Sequence, residues 1–122
     1  MLRPFAAGSF AVLALLLGTS FCAAEPKHSI KEVMKKGHVP PKSSLVTKVI
    51  KGEASAEDKK LLVELYTSMD ESEPPKGDKA DWKKLTKALL DAAKAIEGGD
   101  EAAREKLNEA VNCGNCHRAH KG

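Results

Sequence analysis

Two regimes of hydrophobicity divide the chain. Near its start the apolar residues are contiguous, from Phe10 through Leu17, whereas from Ile30 onward they recur three and four positions apart with charged residues between them. The second pattern is that of helices with one buried stripe, and no stretch alternates as a half-buried strand does. Ser29-Ile-Lys-Glu32 has the form of a capping box and predicts a short helix with Ile30, Val33 and Met34 on one face. Gly37 ends it and Pro40-Pro41 bars its continuation. A second short helix is predicted from Ser44 or Leu45 to Lys51, apolar at Leu45, Val46, Val49 and Ile50 and stopped by Gly52. Both are too short to stand alone. Ser55-Ala-Glu-Asp58 opens a third segment, with Leu61, Leu62, Leu65, Tyr66 and Met69 at helical spacing, that stops near Asp70. The stretch from Glu71 to Gly77, with Pro74-Pro75, is a loop. Asp78 caps the next helix, whose stripe is Trp82, Leu85, Leu89, Ala92, Ala93 and Ile96, until Gly98-Gly99. A last helix starts at Asp100, turns Ala103, Leu107, Ala110 and Val111 inward, and runs directly into Cys113.

The contiguous apolar stretch is a different object. Arg3 precedes it and the small residues Cys22-Ala23-Ala24 follow before Glu25-Pro26, the three parts of a secretory signal peptide. Residues 1–24 are therefore read as a leader cleaved after Ala24, and residues 25–122 as the mature domain. The run falls short of the roughly 20 apolar residues of a spanning helix, which argues against a membrane anchor. Phe21 stands where a lipoprotein site at Cys22 would want a small residue. Of the 122 residues 42% are apolar, yet all three Phe lie in the leader, so Tyr66 and Trp82 are the only aromatics of the 98 that remain when 24 are taken from 122. That is one domain, and its lean aromatic content excludes a transmembrane bundle, a disulfide-stapled mini-protein and a sheet-rich domain. The formal charge of +3 drops to +2 when the one positive charge of Arg3 is removed with the leader. Lysines interleaved with Glu and Asp make solvated helix faces, not a nucleic-acid footprint.

Cleavage leaves two cysteines, Cys113 and Cys116. Export places them in an oxidising compartment, but a disulfide between them would close too small a loop to staple a fold. With the next residue they form Cys113-Gly-Asn-Cys116-His117, the C-x-x-C-H haem attachment sequence of c-type cytochromes. Two thiols one helical turn apart each add to one vinyl group, and the adjacent imidazole reaches the iron. A zinc site would need two further ligands, with His117 poorly placed to close the same tetrahedron as Cys116. A thioredoxin-type thiol pair expects a βαβ setting. A haem would supply the interior that so few aromatics leave short, and the haem-free chain is accordingly expected to be largely unfolded.

With helices throughout and this motif at its C-terminal end, the chain resembles the class II c-type cytochromes, the group that includes cytochrome c′. The resemblance covers the helix order of the mature chain, and the specific match is Cys113, Cys116 and His117. It implies an all-α, antiparallel four-helix bundle with one covalent haem c per chain near the C-terminus. Cys113 and Cys116 would be the thioether anchors and His117 the proximal iron ligand. In that family the residue on the far side of the iron comes from the first helix, Met in electron carriers and a non-coordinating apolar residue in cytochrome c′. The segment Ile30-Lys-Glu-Val33-Met34-Lys-Lys-Gly37-His38 is similar to that helix, making Met34 the expected distal ligand. The family's first helix is continuous, whereas here Gly37 and Pro40-Pro41 break it.

Other polar residues leave alternatives open. His38 or His28 would give a bis-histidine iron, and an open sixth position is the remaining possibility. Met69 is expected in the core or at its boundary, and His120 at the surface. Trp82 and Tyr66 are expected in the haem pocket or the bundle core. Arg118 and Lys121, with Lys35 and Lys36, are read as solvated helix ends, the alternative being a basic rim that steers an acidic partner. These readings converge on a periplasmic mono-haem one-electron carrier, not an enzyme, since no paired acid and base groups mark a substrate pocket. Its partners would be periplasmic redox proteins, with no nucleic acid, the membrane met only transiently through those partners, and the chain a monomer or homodimer. The alternatives are a cytochrome c′-like five-coordinate haem protein binding NO or CO, and a zinc-stabilised helical module.

Overall fold

In the computed structural model, which describes residues 26–122, helices begin where the sequence supplies a side-chain oxygen. Ser29 Oγ accepts the Glu32 amide at 3.2 Å and starts α1 (Ile30–Val33). Ser44 Oγ does the same for Thr47 at 3.2 Å and starts α2 (Leu45–Lys51). Ser55 and Asp58 exchange reciprocal bonds of 3.1 Å, a complete capping box, ahead of α3 (Ala56–Glu71). Asp78 Oδ1 accepts the Ala80 amide at 2.9 Å before α4 (Lys79–Glu97). After α5 (Ala103–Ala110), Asn112 Oδ1 accepts the Asn115 amide at 3.0 Å and opens α6 (Cys113–His120). The described residues are all-helical, and none of their helices is long and apolar enough to cross a membrane. The predicted leader, residues 1–24, lies outside the described residues.

The two longest helices, α3 and α4, pack along each other; α5 lies on α4, α2 lies against α3 and α5, and α1 lies on α3. Leu62, Leu65, Tyr66 and Met69 of α3 meet Trp82, Leu89, Ala93 and Ile96 of α4 in one buried cluster, joined by Val33, Val46, Val49 and Leu107. Each fully buried Leu contributes about 1.5–3 kcal/mol. The short α1 is tied down by polar contacts as well. His28 donates its backbone N–H to Ser68 Oγ at 3.2 Å, and its ring nitrogens meet Glu32 at 3.2 Å and Glu64 at 2.7 Å. The carboxylate of Glu32 thus turns to His28, so the predicted capping box at α1 is half formed.

Three features depart from the pattern read in the sequence. Gly37 does not end the first helix: α1 widens into a π-helical turn (Met34–His38), and the chain breaks after it, where the Val39–Pro40 peptide is cis. Gly37 is buried because a Cβ there would already touch Leu65 Cδ1 at 3.4 Å, so its small size serves the approach of this turn to α3. The last helix does not run unbroken into Cys113. Val111, at φ −76° and ψ 67°, leaves helical geometry and separates α5 from α6. Leu61, on the predicted stripe of α3, is 37% exposed, while Thr86 is buried and donates its hydroxyl to Asp70 Oδ1 at 2.8 Å.

Candidate functional site

The break at Val111 gives α6 a direction of its own, and Asn112 caps it so that helical geometry begins at Cys113. Cys113, Cys116 and His117 then stand three and four positions apart, on one face of the helix. That face forms a wall of a cleft of about 860 Å³. The first helical segment supplies Ile30, Met34 and His38 to the cleft, α3 supplies Met69, and α4 supplies Trp82 and Leu89. Ala110 and Val111 line it where α5 ends, and Val39, Pro41 and Pro75 flank it. The lining is predominantly apolar, and the volume lies within the range of about 300–1,000 Å³ typical of cofactor pockets. Both thiols are free, and among the described residues the His117 ring has no hydrogen-bond partner.

The far end of α6 is held by the loop between α3 and α4. His120 is buried, with one ring nitrogen 3.0 Å from the Lys76 carbonyl oxygen and the other 2.9 Å from Asp81 Oδ2. Its ring meets Trp82 edge-on, the centroids 5.4 Å apart, and Trp82 Nε1–H donates to the Ser72 carbonyl at 2.9 Å. Gly77 comes so close to this turn that a Cβ on it would lie 2.5 Å from the Ala119 carbonyl oxygen. The Lys76 carbonyl, together with the Asp81 carboxylate, raises the pKa of His120 above the ordinary histidine value. Burial, then the nearby Asp81 charge, raises the Cys116 thiol.

A hydrogen-bonded pair also borders the cleft. His38 Nε2 lies 3.1 Å from Tyr66 Oη, with ring centroids 5.7 Å apart. Tyr66 is fully buried, and burial, with a contribution from Cys113, pushes its phenol far up, so it stays neutral. Burial lowers the pKa of His38, as does the charge of His117, which favours the neutral imidazole.

Of the residues singled out in the sequence, the cleft brings together Cys113, Cys116, His117, Met34, His38 and Trp82, with Tyr66 behind His38. His28 is elsewhere, its ring between Glu32 and Glu64 and outside the lining of the cleft. Met69 is buried and lines the cleft. His120, expected at the surface, is a buried cleft residue because the α3–α4 loop folds back over α6 and offers its ring two acceptors. No local signal in the sequence announces that return. The basic residues weighed as a rim do not gather at the cleft. Lys31 and Lys121 border the cleft, whereas Arg118 faces a separate groove with Asp81 and Leu85, and Lys35 and Lys36 are exposed away from the lining.

The donor set fits a covalently held haem: two unpaired thiols and one imidazole on a single helix face, opening on a large apolar cleft. Among the described residues no three His, Cys, Asp or Glu side chains converge as a metal site. Compared with protein-family models, curated proteins and solved structures, the chain matches none.

Proposed function

We propose that this protein is an exported mono-haem c-type cytochrome that carries single electrons between periplasmic redox proteins. The observation that carries the reading is the placement of Cys113, Cys116 and His117 together on the wall of the apolar cleft. Bound there, a haem would supply the one-electron couple. The two thiols would hold it by thioether bonds, each S–H adding across one vinyl C=C, and His117 would supply the proximal nitrogen. Ile30, Met69, Trp82 and Leu89 would exclude water from the ring, and a dry, rigid surround suits a carrier. The helical architecture supports the resemblance to class II cytochromes, with residues 1–24 as the export leader and a single covalent haem per chain.

Purification after export in a host competent for c-type haem attachment tests this. The expected product is coloured, keeps its haem through acid–acetone extraction, and gives one reversible one-electron wave by protein voltammetry. A colourless protein overturns the reading. A haem protein that in its native ferrous state binds carbon monoxide at once would move it to the gas-binding class.

A further inference from the structure

We propose that His38, held in place by Tyr66, is the sixth ligand of the haem, so that the iron is bis-histidine and not His/Met. The inference rests on the haem reading above. Ile30, Met34 and His38 all line the cleft that His117 lines, at successive intervals of four residues. In an α-helix with 3.6 residues per turn, each such interval rotates the side chain by about 40°, so the third position would drift off the stripe. The π-helical turn over Met34–His38 is wider and offsets that drift, keeping His38 in line with the cleft. Met34 also lines the cleft and packs against the core cluster, as Ile30 does, whereas His38 is fixed there by a hydrogen bond.

The surroundings of His38 are those an axial imidazole needs. A metal-bound histidine commonly has its second ring nitrogen fixed by a hydrogen bond, which sets the tautomer and the plane of the ring. Here Nε2 is engaged by Tyr66 Oη at 3.1 Å, and among the described residues no hydrogen bond reaches Nδ1. With Nδ1 as the donor to iron, Nε2–H donates to the phenol oxygen. Tyr66 has no exposure through which water could replace this partner. The imidazole lines the same cleft as Cys113, Cys116 and His117. Tyr66 is then a positioning residue and His38 the ligand. A second imidazole in place of a thioether lowers the reduction potential, which places the protein among low-potential carriers.

The test uses the purified, haem-loaded full chain and its spectra. The wild type is expected to be low-spin in both oxidation states, to lack the weak near-infrared band of thioether-ligated ferric haem, and to show a bis-histidine EPR signal. His38→Ala should become high-spin, bind carbon monoxide, and return to low-spin when free imidazole is added. Met34→Leu should leave the low-spin spectrum unchanged. In Tyr66→Phe the iron should stay low-spin while cyanide displaces the sixth ligand at a roughly 10–100-fold lower concentration, the range seen when the partner of a metal-bound histidine is removed. A near-infrared thioether band lost in Met34→Leu overturns the proposal, as does a low-spin His38→Ala. An unchanged cyanide midpoint in Tyr66→Phe overturns the positioning role. A wild-type protein without haem refutes instead the function on which the inference rests, and its lack of colour tells the two failures apart.

Discussion

Replacing Gly77 by Ala probes how the cleft wall is held in place. Gly77 has φ +88°, and a Cβ there would lie 2.5 Å from the Ala119 carbonyl oxygen and 2.8 Å from His120 Nδ1. The first contact is with backbone, so it cannot be relieved by a side-chain rotation. Left-handed backbone at a non-glycine residue costs about 1–2 kcal/mol, and forcing an extra methyl into a packed site about 1–3 kcal/mol more. Gly99 supplies the control, because it has φ +98° with nothing within 4 Å of an added Cβ. Gly99→Ala therefore carries the backbone cost alone. At about 4–8 °C per kcal/mol for a domain of this size, Gly77→Ala should melt at least about 4 °C below Gly99→Ala in thermal unfolding followed by circular dichroism. Equal melting temperatures for the two variants would show that the loop does not press on α6, and the account of how His120 is buried would fall with it.

Ser55→Ala removes the side-chain half of the capping box at α3, the bond from the Asp58 amide to Ser55 Oγ, and should lower stability by about 0.5–2 kcal/mol, measured by urea titration, with the visible spectrum unchanged. The variant carrying both Cys113→Ala and Cys116→Ala should contain no covalent haem and lose cooperative unfolding, and a native-like melt from that haem-free protein would contradict the need for the cofactor in the core. His120→Gln addresses pH. The folded-state pKa of His120 is raised, so its charged contacts stabilise fully below the unfolded value near 6.5 and fade as pH rises through the folded value. The difference in melting temperature between wild type and His120→Gln should accordingly be largest in mild acid and shrink toward alkaline pH, and growth of the difference with pH would reverse the assignment.

Where local chemistry decides the outcome, the sequence was informative. Ser29, Ser44, Ser55 and Asp78 each begin a helix because one side-chain oxygen satisfies an amide that the helix leaves free. The buried stripes of α3 and α4 follow from the 3.6-residue period in the same way. What sequence could not show depends on residues far apart in the chain. Gly37 reads as a stop until Leu65 is known to press on it. His120 reads as a surface residue until the return of the loop through Lys76 and Gly77 is seen. The pairing of His38 with Tyr66 spans two helices whose approach no local pattern encodes. Cys113, Cys116 and His117 were legible because their spacing is local; Met34, His38, Tyr66 and Trp82 could be singled out as candidates, but not the contacts that arrange them at the cleft.

The position of α6 ties the thin core to the proposed cofactor. The buried cluster is built by α1 to α5, and its large members, Tyr66, Leu62, Leu65, Ile96 and Leu107, come from α3, α4 and α5. From α6 itself only His120 is buried, and what holds that residue is the loop, Asp81 and the edge of Trp82. Between α6 and the core lies the cleft. A helix so placed gains little hydrophobic stabilisation from its own chain, which explains how it can carry exposed Cys113 and His117 and a half-buried Cys116 without collapsing them into the interior. On the proposed reading this is a requirement of assembly. The anchoring face would have to stay open until haem is attached, and Met69, Trp82 and Leu89 would then pack on the ring together with α6, completing a core that two aromatic side chains leave unfinished.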